Sequence, residues 1–315
     1  VNSINRRSIA EALHRISPYV RCTPTIEVPG SDFGCNGTLV FKLEQLQVTG
    51  SFKARGAFNR TLSNTVPQCG LIAASGGNHG IAVAYVAKQL GHPAEIFVHA
   101  NTSPVKKAAI EALGAKVFVV GTCFDDAFEA STARQRASGA LMITAFHTEE
   151  TLAGQGSLAC EWESQSRRMD TVLVATGGAG LIAGISAWFE KSTQVLAVEP
   201  IAAPTLHHAL AAGIPTRVDV GGVAGDSMGA RQVSDIAFST ARQWVQRSLL
   251  VSDKDIIEAQ RRLWQDLRLI VEPGGAVALA ALLSGSYQPS REERVGVLLC
   301  GANTDDFSFT TPLNN

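Results

Sequence analysis

Three glycine-rich turns in this chain are suited to holding an anion. They are Ser75-Gly76-Gly77-Asn78-His79-Gly80, Thr176-Gly177-Gly178-Ala179-Gly180 and Cys300-Gly301-Ala302-Asn303, each after a strand-like run. A strand-to-helix turn presents unpaired backbone N–H groups at the positive end of the helix dipole, and glycine lets the backbone approach a phosphate or carboxylate. Taken singly, such a turn serves equally well for tight helix–strand packing. A further chemically interesting residue is Lys53, in Gly50-Ser51-Phe52-Lys53-Ala54-Arg55-Gly56-Ala57. By itself, a lysine in a polar turn is ordinarily a surface charge. No G-x-G-x-x-G opens a helix with an acidic residue at the ribose distance, so the dinucleotide fingerprint is missing. No G-x-x-x-x-G-K-[S/T] indicates nucleotide hydrolysis either.

The elements that must position these turns alternate. Strands are predicted at 39–43, 70–74, 95–98, 116–120, 141–144, 171–175, 194–199 and 295–299. Helices are predicted at 81–90, 105–113, 127–137, 152–164, 182–191, 253–267 and 276–283. Ser103 supplies an N-cap, Pro104 a first helical turn and Gly114 a stop. Strands alternating with helices of this length imply mostly parallel sheets flanked by helices on both faces, an α/β class. With no sharp linker and no repeat, two sheets with strand exchange between lobes are expected.

Composition narrows the function classes. Apolar residues make up 45% and charged residues 17% of 315 residues, with a formal net charge of −1. Nothing in that balance draws the chain to nucleic acid or to an anionic membrane. The longest apolar run, Ala276 to Leu283, is too short to span a bilayer. The opening residues read as an amphipathic helix without a signal-peptide core. The six cysteines (Cys22, Cys35, Cys69, Cys123, Cys160 and Cys300) form no C-x-x-C pair, so they read as reduced thiols in a cytoplasmic setting. His207 and His208 are adjacent and diverge on a helix, so they make no metal pair.

The motifs become specific as an ordered set. S-F-K-x-R-G-A, S-G-G-N-H-G, A-G-Q-G at Ala153 to Gly156, G-G-A-G, Val198-Glu199-Pro200, Val271-Glu272-Pro273-Gly274 and C-G-A-N follow one another. This order resembles the serine/threonine dehydratases and serine racemases, the fold-type II pyridoxal-phosphate enzymes, over about residues 16 to 305. The resemblance implies the two-lobed, tryptophan synthase β-like fold, with residues 1–69 and 146–315 forming a large cofactor-binding lobe. Residues 70–145 would form a small mobile lobe that closes over the substrate. It also implies a homodimer, and a catalytic domain without a regulatory C-terminal one.

Residue roles follow from the resemblance alone. Lys53 would carry pyridoxal phosphate as a Schiff base and later act as general base beside Cα. Phe52 would pack on the cofactor ring, Asn78 would bond its phenolic oxygen, and Glu272 would join the cofactor-binding set. Gly177, Gly178, Ala179 and Gly180 would hold the phosphate; alanine at the third place departs from the commoner four-glycine form. Cys300 would face the ring nitrogen where relatives usually carry Ser or Thr, a neutral partner that favours elimination. Backbone N–H groups of Ser75, Gly76, Gly77, Asn78 and His79 would hold the substrate carboxylate, with Ser75 alternatively capping the helix. Phe146 stands where threonine dehydratases tend to carry Phe. Glu199 and Ala203 correspond to metal ligands of the racemase branch, but Thr205 replaces an Asp there, which puts a divalent site in doubt. A monovalent cation or plain hydrogen bonding by Glu199 stays open. Asp226, Ser227 and Arg231 would read the substrate side chain, or Asp226 and Arg231 would pair at the surface.

The implied reaction is deamination of a 3-hydroxy-L-amino acid, such as threonine or serine, to a 2-oxo acid and ammonia. A racemase, a dehydratase for a bulkier substrate, a β-replacing synthase and a non-catalytic binder are the alternatives. Racemases place a Ser hydroxyl where this chain has Gly76, and that substitution favours elimination. Glycine there is explained equally well by a backbone angle that only glycine tolerates.

Overall fold

In the computed structural model, which describes residues 4–310, the predicted alternation becomes two sheets. The chain runs α1 (Arg6–Ile16), β1 (Thr25–Pro29), β2 (Thr38–Lys42), α2 (Lys53–Leu62), β3 (Leu71–Ala74), α3 (Asn78–Leu90), β4 (Ala94–Val98), α4 (Pro104–Ala112), β5 (Lys116–Val119), α5 (Phe124–Ser138) and β6 (Leu141–Met142). It continues through α6 (Glu149–Gln165), β7 (Thr171–Ala175), α7 (Gly180–Phe189), β8 (Gln194–Pro200), α8 (Thr205–Ala212), α9 (Gly225–Met228), α10 (Asp235–Trp244), β9 (Val245–Val251), α11 (Asp253–Leu267), α12 (Pro273–Leu283) and β10 (Arg294–Leu298).

The six-stranded sheet has the order β1-β2-β10-β7-β8-β9, and the four-stranded sheet the order β5-β4-β3-β6. All pairings are parallel except β1 with β2. Central strands such as β7 are buried along their whole length, as expected where helices cover both faces of a parallel sheet. Among the described residues no helix is long and apolar enough to cross a membrane.

Both edges of the large sheet, β1 and β9, lie outside the predicted strands. β1 ends in a proline and is only partly buried. β9 carries exposed Gln246 and Arg247. Edge strands need neither continuous apolar character nor a full ladder, so they leave a weak signal. The helices α2, α8 and α10 were also missed, and α5 begins earlier than expected. The Cys123 side chain and Asp126 form a capping box there.

The core of the small sheet draws on residues outside 70–145. Ile16, Ala54, Ala57 and Phe58 join Leu71, Ala73, Val83 and Ile96 in one buried cluster, with Phe58 between Tyr19 (centroids 5.1 Å apart) and Tyr85 (6.1 Å). Helix α2 thus packs on α3 of the small sheet and on α6 of the large one. Its first residue, Lys53, stands at the junction of the two sheets.

Candidate active site

Lys53 is the first residue of α2, not a residue of a surface turn. The turn before it is stitched to the loop after β10. Phe52 N–H donates to Cys300 O (3.1 Å), Ala302 N–H donates to Gly50 O (2.9 Å), and Ser51 bridges Gly301. Two residues on, Arg55 is fully buried and anchors the helix. Its Nε and Nη2 grip Glu44 at 2.6 and 3.0 Å, and Nη2 also reaches both carboxylate oxygens of Glu161 at 3.0 Å. Lys42 completes the cluster through Glu161 (2.6 Å), Thr23 O and Gln165. Two buried cations face two buried carboxylates, so the cluster is neutral and internally satisfied.

The Lys53 amine lies 4.9 Å from the centre of the Phe52 ring. It enters a pocket that is also lined by Asn78, Phe146, the Gly177–Gly180 turn, Glu272 and Cys300. Enclosure by protein atoms lowers the amine to about 8, against the opposing pull of Glu272. The Cys300 thiol, pushed up to about 12 chiefly by burial, is neutral and lies 3.4 Å from Gly274 O. Burial also raises Glu272 to about 7, although the Asn78 amide donates to it.

Turn by turn, the donors sort as follows. Ser75 N–H is spent on Phe97 O (3.0 Å) and Gly77 N–H on Ser75 Oγ (3.2 Å). This corrects the expected donor set, because β4 pairs with the end of β3 and occupies the first amide. Gly77, not Ser75, is the N-cap residue of α3. The free amides are then those of Gly76 and of the first turn, Asn78, His79 and Gly80. The His79 ring turns away, with Nε2 2.8 Å from Ile143 O; burial and the Lys53 charge hold it down to about 3, hence neutral.

Asn78 has a fixed orientation. Its Nδ2 donates to Glu272 Oε1 (2.6 Å), and its Oδ1 accepts from Asn303 Nδ2 (2.7 Å), which also donates to Thr49 O (2.8 Å). Asn303 stands in the Cys300–Asn303 turn, yet its type and neighbours give no sign of this contact. No local pattern links positions 225 residues apart.

At the second turn, Ala179 adopts the left-handed conformation (φ 62°, ψ 1°) as N-cap residue of α7. An αL residue leading into a helix turns successive N–H groups to one side, forming an anion-binding nest. Phe146 backs this turn: a Cβ on Gly178 would lie 2.4 Å from its ring, and one on Gly180 2.6 Å from its Cβ. Phe146 in turn stacks on His147 (4.4 Å).

The remaining predicted residues divide. Ser227 lines the pocket, whereas Asp226 pairs with Lys106 of α4 rather than with Arg231. Arg231 is exposed, and its carbonyl accepts from Val218 N–H. Glu199 is buried and accepts from Leu206 N–H (2.7 Å), His207 N–H (2.8 Å) and Ser248 Oγ, so it caps α8. Burial raises it to about 7 despite those donors. Ala203 N–H donates to Pro200 O, and Thr205 Oγ1 to Ala230 O. Among the described residues no group of three His, Cys, Asp or Glu is placed to hold a metal.

Comparison with known proteins gives the geometry its context. The family model described as pyridoxal-phosphate dependent enzyme matches residues 16–301. A phenylserine dehydratase of Ralstonia pickettii is 36% identical, over 97% of this chain and 95% of its own. The structure of maize serine racemase superposes with a TM-score of 0.91 at 31% identity, covering 96% of this chain and 94% of that one. The T.th. threonine deaminase gives 0.89 at 34% identity, covering 98% and 100%. The two-sheet fold is therefore that of the fold-type II enzymes.

Proposed function

The chain belongs to the pyridoxal-phosphate-dependent enzymes, among the serine/threonine dehydratases and racemases, and from that premise we propose that it is a dehydratase. The substrate class is a 3-hydroxy-L-amino acid such as threonine or serine, released as a 2-oxo acid and ammonia. The observation that carries this reading is the enclosed Lys53 amine sharing one pocket with the Gly177–Gly180 nest.

The residues present fit the cofactor. The amides of Gly177 to Gly180 would hold the phosphate dianion, and Phe146 leaves no room for a side chain on Gly178. Charge-assisted bonds of this kind contribute about 1.5–3 kcal/mol each. Lys53, lowered to about 8, has enough neutral amine near neutral pH to hold an aldehyde covalently. With the cofactor in place, Phe52 would flank its ring and Asn78, held by Glu272, would bond its phenolic oxygen. When bound, the cofactor supplies an electron sink that acidifies the substrate Cα–H.

The chain's own groups do the rest. The Lys53 amine would take the Cα proton as general base. The amides of Gly76, Asn78 and His79 hold the carboxylate. The neutral Cys300 thiol would face the ring nitrogen as a partner that does not protonate it, an arrangement that would favour elimination. Closure of the small lobe excludes water. Gly76 offers no side chain to return a proton from the opposite face, so elimination outruns racemisation.

A bulkier 3-hydroxy substrate is the second reading. It is favoured by the apolar side chains of Phe146, Leu181 and Met228 in the pocket and by the phenylserine dehydratase relative. The test is a visible spectrum of the cofactor-loaded protein, then 2-oxo acid assays over serine, threonine and 3-phenylserine. A lysine-bound cofactor band with turnover of at least one member supports the proposal. A band with no turnover of any, or D-serine formed as fast as pyruvate, refutes it.

A further inference from the structure

Gly76 is not a glycine of backbone necessity. It lies outside the eleven glycines with positive φ, so the left-handed conformation that would exclude a side chain is not adopted. What excludes one is Thr102, in the segment between β4 and α4. A Cβ on Gly76 would lie 2.2 Å from Thr102 Cγ2, 2.5 Å from its Oγ1 and 2.9 Å from its Cβ. Carbon atoms in ordinary contact are about 3.5–4.0 Å apart.

Thr102 cannot easily move aside. It is 7% exposed, and its N–H donates to His99 O (3.0 Å), while neighbouring Ala100 N–H is tied to Gly121 O. Both of its branches face Gly76. Turning χ1 brings the hydrogen into one of those places but leaves one heavy branch, and Cβ itself, in the way. The hydroxyl is buried and has no hydrogen-bond partner. Its polar atom does nothing there that a methyl group would not, and its volume is what the turn feels.

We infer that Thr102 is a specificity-determining residue: by filling the space beside Gly76 it keeps a hydroxyl-bearing side chain out of the carboxylate turn and so restricts the site to elimination. This rests on the reading above, in which the Gly76 turn faces substrate Cα opposite Lys53. Acquiring an acid on that face then requires two changes, not one.

The test uses cofactor-loaded protein and five variants: Gly76→Ala, Gly76→Ser, Thr102→Ala, and each Gly76 change combined with Thr102→Ala. The two Gly76 single variants should lose about 2–5 °C in Tm through overpacking. Thr102→Ala alone should shift Tm by less than about 2 °C, because no hydrogen bond is lost. Each double variant should recover most of the loss. The Gly76→Ser double should also form D-serine from L-serine at least about tenfold faster than the native enzyme, an apparent barrier change of about 1.4 kcal/mol, whereas the Gly76→Ala double should not.

Native-like stability of Gly76→Ser, or no recovery with Thr102→Ala, would overturn the steric claim. Recovery without D-serine, or equal D-serine from both doubles, would overturn the specificity claim. Should the native enzyme produce no 2-oxo acid from serine, threonine or phenylserine, the proposed function fails, and the Tm comparison still decides whether Thr102 dictates Gly76.

Discussion

Replacing Arg55 with methionine should destabilise the fold and disturb Lys53 through α2, and the size follows from the buried cluster. Arg55 holds Glu44 bidentately and Glu161 through Nη2. Without it, two buried carboxylates share one cation, Lys42. Removing one partner of a buried ion pair costs about 3–5 kcal/mol. With an unfolding entropy of about 2.1 cal/mol/K per residue, roughly 0.7 kcal/mol per degree for a chain of this length, Tm should fall by about 5–8 °C. The loss should depend on pH with a definite sign. In the native fold, burial pushes Glu161 up, but Arg55 and Lys42 outweigh it and hold it below its ordinary value, so it contributes stability above the unfolded pKa that is lost on acidification. In the variant the burial effect prevails and the carboxyl pKa rises above its unfolded value. That variant gains stability as pH falls, and its deficit should be smaller at pH 5.5 than at pH 8. Thermal scans at the two pH values measure this, and the visible cofactor band reports on Lys53. An unchanged Tm, or a deficit that grows on acidification, would refute the reasoning.

Other perturbations test the rest of the site. Lys53→Ala should abolish 2-oxo acid formation and the band of lysine-bound cofactor, while the Gly177–Gly180 turn still retains some cofactor on desalting; normal turnover would remove Lys53 from the chemistry. EDTA should leave activity and Tm nearly unchanged, whereas Glu199→Ala should lower Tm by about 3–6 °C by orphaning the amides of Leu206 and His207; restoration of EDTA-treated enzyme by Mg²⁺ or Ca²⁺ would contradict this. Ala179→Gly relieves a left-handed alanine and should raise Tm by about 1 °C after the cost of added chain entropy. A fall would show that the nest tolerates alanine without strain.

Much of this protein is written locally in its sequence. The central strands are continuous apolar runs because helices bury both of their faces, and such runs, bounded by turn residues and alternating with helical patterns, are legible in the sequence. The glycine-rich turns, Lys53 and their order carry the family and its cofactor, because anion cradles and reactive amines need particular residue types at particular places. Other features were decided only in three dimensions. The edges β1 and β9 carry mixed polarity, since half of an edge strand meets water. Placing Lys53 at the start of a helix shared by both sheets depends on Phe58 packing between Tyr19 and Tyr85 and on Arg55 reaching Glu161, 106 positions away. Asn303 fixing Asn78, Glu199 serving as a helix cap, and Thr102 standing where a side chain of residue 76 would go share one cause. Each is a contact between distant segments, set by how the sheets pack, and neither partner's neighbours in the chain reveal the other.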